Sequence, residues 1–467
     1  MVPRRLKQPL RLLPGVIALA AITGCTRYEP RPLDPAAHAR EFLGRVPDAP
    51  GVNAFADRLR EPGTAPVAEF DPADGLTMIE GEAVALFFNP ELRAARLRAG
   101  VTRAAAENAG LWQDPSLSFD GERIIENVKY PWIIGAMVGL TIPLSGSLEA
   151  EKLLAQGEHD TEIARVLADE WRVRLELRRA WLEWTAAAQR LHAAEDFTEH
   201  LDGLLNIIGR LEEAGELPRI ESRLFHLEEA RRRIERRDLE SELQQKNLGL
   251  RRIMGLSPAA PLSFQPASLT SAAPPALSPE EEMLHLVNTN PAMRVARAEY
   301  EAAERTLQLE IRRQYPDLEI GLGGGSEEDE PRILFGLSIP LPIWNRNQRA
   351  VAEAQASREL SRVLFESHVE QLAHDLASAR TRLAAAELRR QAIEQTVAPL
   401  ADQQQADARR TAELGEVDTL LLLESVTKQY EAKRDLIEAA LDESLASAAI
   451  IEILGPTPIR PEGTPHP

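Results

Sequence analysis

Two stretches of strict alternation break an otherwise helical chain. Leu117 and Phe119 alternate with Ser116, Ser118 and Asp120; Ile134, Ala136, Val138, Leu140 and Ile142 alternate with Gly135, Met137, Gly139 and Thr141. The dyad returns as Leu318, Ile320 and Leu322 against Glu319, Gly321 and Gly323, then as Ile333, Phe335, Leu337 and Ile339 against Leu334, Gly336 and Ser338. A period of two predicts strands with one apolar face and one small or polar face. Two hairpins are therefore expected, with strands over about 116–124, 132–142, 317–324 and 332–340. Polar loops run from Arg123 to Tyr130 and from Gly324 to Pro331.

Elsewhere the period is helical. Residues 80–88 predict one helix, and Asn89 caps the next with Pro90 at its first position, where the missing N–H costs nothing. That helix is expected to reach about Trp112, before Asp114-Pro115. From Ser147 to about Ala214 there is no proline, and from about Arg349 to Leu414 only Pro399. At 1.5 Å per residue the first segment would extend about 100 Å. Each meets a glycine, Gly215 or Gly415, and returns to Met254 or Leu454. On the second return, Leu420, Leu423, Val426, Tyr430, Ile437, Leu441 and Leu445 recur at the spacing of coiled-coil packing.

These elements are written twice. Asn89-Pro90-Glu91-Leu92 recurs as Asn290-Pro291-Ala292-Met293, Asp114-Pro115-Ser116-Leu117 as Tyr315-Pro316-Asp317-Leu318, and Gly139-Leu140-Thr141-Ile142-Pro143-Leu144 as Gly336-Leu337-Ser338-Ile339-Pro340-Leu341. Gly215-Glu216-Leu217 pairs with Gly415-Glu416-Val417, and Ile253-Met254-Gly255 with Ile453-Leu454-Gly455. Five anchors in order, at offsets near 200, mark a tandem duplication in which each half builds the same unit.

The N-terminus bears on compartment. Arg4, Arg5, Lys7 and Arg11 precede the apolar run Leu12 to Ile22, which is too short to span a bilayer and fits a secretory signal. It ends in Ile22-Thr23-Gly24-Cys25, which resembles a bacterial lipobox whose cysteine is lipidated. An ordinary signal peptide with an incidental cysteine is the alternative. Cys25 is the sole cysteine, so no disulfide framework and no cysteine metal site is available. The net charge is −19, and loss of residues 1–24 with their four basic side chains leaves −23. Such a surface repels nucleic acid and favours cations.

The hairpins admit two readings: a soluble sheet packed on helices, or a membrane β-barrel with lipid outside and water inside. Long polar loops favour the barrel. Four strands cannot close one, since about eight is the working minimum, so copies of the chain would share it.

Paired halves of helix, hairpin, long helix, glycine turn and return helix, with Asn-Pro before the strands and Pro-Leu after them, resemble the TolC family of outer-membrane efflux proteins over roughly residues 76–455. Ser338-Ile339-Pro340-Leu341-Pro342-Ile343-Trp344-Asn345-Arg346-Asn347-Gln348 resembles most the branch serving cobalt–zinc–cadmium type cation exporters. The resemblance implies a mainly α fold with a small β part: a homotrimeric 12-stranded β-barrel in the outer membrane of a Gram-negative bacterium, continued by a long α-helical barrel through the periplasm. It implies a passive conduit, not an enzyme, with a periplasmic membrane fusion (adaptor) protein and an inner-membrane RND pump as partners, and with no cofactor beyond the covalent lipid on Cys25. Organisation would be a lipoprotein signal peptide (1–24), an irregular lipid-anchored arm (25–75), the first repeat (76–255), a connector (256–278), the second repeat (279–455) and a tail (456–467). Thr26 after the cysteine favours outer-membrane sorting, by likeness to known lipoproteins. Exported heavy-metal cations come first, with drugs or organic compounds as the alternative. A lipid-anchored periplasmic coiled-coil structural or adaptor protein is a further one.

The family pattern also carries site residues. It places Glu424 on an acidic ring at the periplasmic gate, with Leu421 where a second acidic residue is common, and with Asp418 and Glu221 as further gate candidates. The turns Gly215, Glu216, Leu217 and Gly415, Glu416, Val417 resemble the adaptor-docking tip. Other chemistry is weak. His192/His200 and His368/His374 lack the spacing of three or four that places two ligands on one helical face. No lysine follows the glycines at 321 and 323–325, so they read as strand and not as a phosphate loop.

Overall fold

The computed structural model describes residues 26–59, 70–125, 128–269, 278–327, 330–413 and 418–456. Cys25, Gly415, Glu416 and Val417 lie outside the described residues. The chain divides after Gly44. In the first unit, α1 (Pro35–Leu43) begins where the Asp34 carboxylate accepts from the Ala37 amide at 2.9 Å. The second unit opens with α2 (Pro50–Leu59). The sequence predicts an irregular arm over 25–75, and the structure instead holds two helices there. Each starts on a proline, whose fixed φ suits a first turn.

The two repeats then follow one order. In the first, α3 (Met78–Phe88) leads to α4 (Pro90–Glu107), the hairpin β1 (Ser116–Arg123) and β2 (Trp132–Ile142), the long α5 (Ser147–Glu213) and the return α6 (Arg219–Ile253). In the second, α7 (Pro279–Thr289) leads to α8 (Pro291–Arg312), β3 (Leu318–Glu327), β4 (Glu330–Ser338), α9 (Gln348–Ala392), α10 (Ala398–Glu413) and the return α11 (Thr419–Leu454). Thr77 with Glu80, and Ser278 with Glu281, close equivalent capping boxes. α4 stops at Glu107 and not near Trp112, because Asn108 caps it and Gly110 turns at φ 66° against Leu148.

The Asn-Pro signature has a purpose that the duplication makes plain. The Asn89 side-chain oxygen accepts from the Glu91 and Leu92 amides, while its nitrogen donates to the Ile253 carbonyl at 2.8 Å. Asn290 does the same toward Ala292, Met293 and Ile453, the last at 2.7 Å. One side chain thus caps the start of α4 or α8 and ties down an orphan carbonyl at the end of α6 or α11. Gly255 and Gly455 complete these clasps at φ 70° and 81°, backbone against backbone.

A 5-residue π-helical turn, Ile393–Val397, separates α9 from α10. Pro399 follows, and its missing N–H and its ring would conflict with a regular α-helical register. The Ala398 amide reaches back to Ile393 instead. The first repeat has no such proline, and α5 runs 67 residues unbroken.

Helix packing joins the two repeats. α5 contacts α4, α6, α8 and α11, while α9 contacts α8 and α11, and α10 contacts α11. The main core lies where the connector crosses α5. Trp181 and Trp184 meet Phe264 edge-on, and the Trp181 indole N–H donates to the Gln265 carbonyl at 2.9 Å. Buried Glu82 is held by Arg174 and Arg178, and its counterpart Glu282 by Arg380. An unpaired carboxylate there would carry the full cost of desolvation.

Candidate functional site: an unclosed sheet and a helical tip

The four strands form one antiparallel sheet in the order β1-β2-β3-β4. Among the described residues both β1 and β4 are edges. The strands extend further into the β3–β4 connection than a polar loop over 324–331 allows. Gly324, Gly325 and Ser326 pair with Ala136, Gly135 and Ile134 on one side and with Ile333, Arg332 and Pro331 on the other. β4 ends at Ser338, before Pro340.

Register sorts the side chains by face. Leu117 opposes Val138, Val138 opposes Leu322, and Leu322 opposes Phe335. One row along, Phe119 opposes Ala136, Ala136 opposes Gly324, and Gly324 opposes Ile333. One face therefore carries Leu117, Phe119, Val138, Leu140, Ile320, Leu322, Ile333, Phe335 and Leu337, side by side across all four strands. Most of these side chains are bare: Phe119 is 73% exposed, Leu322 62% and Ile333 86%. The opposite face carries Ser116, Ser118, Asp120, Thr141, Glu319, Glu327 and Ser338, with Gly321 and Gly336 forming a floor on which Met137 lies. Trp112, Tyr315 and Trp344 stand near one end of the strands, and Tyr130 and Trp132 at the other; all five are exposed. An apolar band between aromatic ends, backed by a polar face, is the pattern of a lipid-facing barrel wall. No helix among the described residues is long and apolar enough to cross a membrane.

At the far end of the long helices lies the tip. α5 ends at Gly215 in a left-handed turn of φ 77°, with the Glu216 and Leu217 amides bonded back to the Leu211 carbonyl. Leu217 is buried with Ile208 and Phe225, while Gly215 and Glu216 are exposed. Among the gate candidates, Asp418 caps α11 by accepting from the Leu421 amide at 3.0 Å. Glu221 accepts from the Thr419 hydroxyl at 2.7 Å, which links the two repeats. Glu424 is exposed. Lys428 lies one turn on; Glu431 chiefly, then Glu424 and Asp435, hold its ammonium above the ordinary lysine range.

Composition and periodicity give no sign of a second link between the repeats. The Arg232 guanidinium sits 5.1 Å from the Phe197 ring and 5.0 Å from the Tyr430 ring, and bonds Glu228 and Glu235 at 2.6 Å each. The Tyr430 hydroxyl donates to Glu235 at 2.8 Å. Burial first, then that carboxylate, pushes the phenol up to about 12. Among the described residues no three His, Cys, Asp or Glu side chains converge as a metal site.

Residues 285–456 match the family described as outer membrane efflux protein. The chain is 23% identical over 406 residues to the cobalt-zinc-cadmium resistance protein CzcC of Cupriavidus metallidurans, covering 86% of this chain and 96% of that one. The fold is that of the outer membrane protein VceC of Vibrio cholerae, with a TM-score of 0.68 at 17% identity over 81% of this chain and 96% of that one. It is equally that of the open state of the MtrE outer membrane channel of Neisseria gonorrhoeae, with a TM-score of 0.67 at 17% identity over 85% and 94%. The second repeat thus matches the outer membrane efflux protein family directly, and the first repeats its elements in the same order.

Proposed function

We propose that three copies of this chain close one 12-stranded barrel in the outer membrane, continued by their helices as a duct through the periplasm. The observation that carries this is the sheet: four strands with a bare apolar face and two edges without a neighbour. An open edge left in lipid would strand its N–H and C=O groups, so only closure satisfies them. The internal pairing of β2 with β3 supplies a template for β4 with β1 of the next copy, because β4 repeats β2 and β1 repeats β3. A coiled-coil adaptor leaves this sheet without a role.

The duct performs no chemistry. It receives substrate from a periplasmic adaptor and an inner-membrane RND pump, docking through the tips at Gly215, Glu216, Leu217 and at Gly415, Glu416, Val417. Heavy-metal cations are the proposed cargo, supported by the likeness to a cobalt-zinc-cadmium resistance protein. Cys25 is the proposed lipid anchor at the outer membrane. Glu424 is the first candidate for the acidic gate, its carboxylate exposed near the tip, with Asp418 and Glu221 as further candidates.

In planar bilayers the purified protein is expected to give cation-selective channels. Three Glu424 carboxylates in a narrow aqueous constriction attract cations within a Debye length of about 10 Å at 0.1 M salt. Glu424→Gln should lower cation selectivity and cation block without dissociating the trimer. Wild-type selectivity and block in that variant would move the gate to Asp418. An absence of channels from the native protein would remove the duct reading.

A further inference from the structure

The duplication is not perfect where the strands hand over to the long helices. Pro143 and Pro340, just beyond β2 and β4, stand 197 residues apart, whereas Ser147 and Gln348, which open α5 and α9, stand 201 apart. The second repeat therefore carries four extra residues between strand and helix. The short loop of the first repeat, Pro143-Leu144-Ser145-Gly146, contains neither tryptophan nor arginine, and its buried Ser145 donates to Asp317 ahead of β3 at 3.1 Å. The long loop leaves its apolar side chains bare: Ile339, Leu341 and Ile343 are exposed, and Trp344 is 88% exposed.

This loop is held in place. The Ile343 amide donates to the Leu341 carbonyl at 2.8 Å, Arg346 Nε to the Pro342 carbonyl at 3.1 Å, and the Asn347 side-chain amide to the Glu310 carbonyl and carboxylate at 2.9 and 2.7 Å. Arg346 and Asn347 take φ 45° and 53°, the only non-glycine residues with positive φ among the described residues. Such backbone persists only where its surroundings fix it. Arg313 shares the Glu310 carboxylate with Asn347, which brings Arg312 and Arg313 at the end of α8 beside Arg346 and Arg349 at the start of α9. Four guanidinium groups thus stand near two carboxylates, Glu310 and Glu353. That is a local excess of positive charge on a chain whose formal charge is −19. Arg346 and Arg349 are exposed, and their terminal N–H groups have no partner among the described residues.

We infer that the loop from Ile339 to Asn347 binds anionic phospholipid in the periplasmic leaflet of the outer membrane, with Leu341, Ile343 and Trp344 at the acyl-chain boundary and Arg346 and Arg349 on the phosphate. This rests on the shared-barrel reading and goes beyond it by adding a lipid-binding site. Continuity with the barrel wall identifies the occupant. Ile333, Phe335 and Leu337 lie on the bare apolar face of the sheet, and Ile339, Leu341 and Ile343 extend the same period of two past the end of β4. The loop therefore prolongs the lipid-facing wall at the end from which α9 departs. Tryptophan rings settle at head-group depth, where one edge is apolar and the other wet. Guanidinium forks match phosphate geometry, and an anionic leaflet attracts each nearby arginine. A neighbouring copy does not need the extra residues, because within a chain the short loop alone meets the segment ahead of β3.

The test is native mass spectrometry of the full-length protein in detergent, titrated with phosphatidylglycerol, with phosphatidylcholine and inorganic phosphate as comparison probes. The trimer should retain phosphatidylglycerol in preference to phosphatidylcholine, one molecule per copy at the lowest concentrations, and an equal concentration of inorganic phosphate should not displace it. Arg346→Asn combined with Arg349→Gln should weaken retention about tenfold. Asparagine accepts the left-handed backbone at 346, and Arg349→Gln alone, on an exposed turn of α9, should weaken retention in the same direction. In vesicles of phosphatidylglycerol brominated on the upper acyl carbons, Trp344→Phe should remove part of the tryptophan quenching. A trimer that holds both lipids equally, or that holds phosphatidylglycerol equally without the two arginines, overturns this site and leaves the shared barrel standing. Displacement by inorganic phosphate overturns lipid as the occupant. Quenching unchanged by Trp344→Phe overturns the placement of the loop in the bilayer and points to cover by the next copy. A monomer that still retains phosphatidylglycerol through the two arginines overturns the shared barrel and leaves this site standing.

Discussion

Leu322→Arg should abolish stable assembly in the outer membrane. Leu322 lies near the middle of β3, between Val138 and Phe335 on the bare apolar face. An arginine there faces lipid, at a cost of about 2–4 kcal/mol at the bilayer midplane. In the proposed barrel of three copies, the closed ring carries about three times that cost. Thr141→Arg puts the same side chain on the opposite, polar face, which lines the water-filled lumen of the proposed barrel, and should leave assembly nearly unchanged. The readout is the amount of trimer recovered from outer membranes. Equal recovery of the two variants would mean that the two faces do not differ in surroundings.

Gly255→Ala should be among the most destabilising single changes outside the hydrophobic core. At φ 70° an alanine is strained, and its Cβ would press on the Phe88 carbonyl oxygen and lie 2.7 Å from the carbonyl carbon. Backbone cannot rotate aside as a side chain can. Strain and overpacking together amount to about 2–6 kcal/mol. Gly455→Ala repeats the experiment in the second half, where the Cβ would lie 2.7 Å from the Thr289 oxygen. Gly203 on α5 has nothing within 4 Å, so Gly203→Ala should stabilise by about 0.5–1 kcal/mol. Thermal unfolding monitored by circular dichroism distinguishes the three, and a Gly255→Ala midpoint equal to that of Gly203→Ala would sink the clasp argument.

These glycines show what kind of structure a sequence discloses. The hairpins are legible because alternation is imposed locally by the strand itself, and the long helices because nothing but Pro399 interrupts them. Asn89 and Asn290 are legible as caps, since Asn before Pro needs no tertiary knowledge. Their second role, holding the Ile253 and Ile453 carbonyls, depends on contacts 164 and 163 residues away. The arm over residues 25–75 looks irregular in sequence because prolines read as breakers, whereas Pro35 and Pro50 each open a helix. The Arg232 knot is hidden for another reason: Phe197 and Tyr430 read as ordinary core positions until three helices bring them together. Glu424, Asp418 and Glu221 come from family likeness alone. The structure gives them different surroundings, with Glu221 and Asp418 hydrogen-bonded in the tip and Glu424 open to solvent.

The central claim is that separate copies complete one barrel, and the register of that closure follows from the chain itself. Thr141 pairs with Glu319 where β2 meets β3. By the offsets that relate the two hairpins, Ser338 of β4 would pair with Ser118 on β1 of the next copy, both on the polar face of the sheet. Opposed residues on paired strands hold their Cβ atoms about 4.5–5.5 Å apart, within reach of a disulfide or a short thiol cross-linker. A variant with both Ser118→Cys and Ser338→Cys, oxidised in outer membranes, should run as a covalent trimer on a denaturing gel, and each single variant as a monomer. A double variant that remains monomeric under oxidation, while its thiols still react with a small water-soluble maleimide, would contradict the shared barrel.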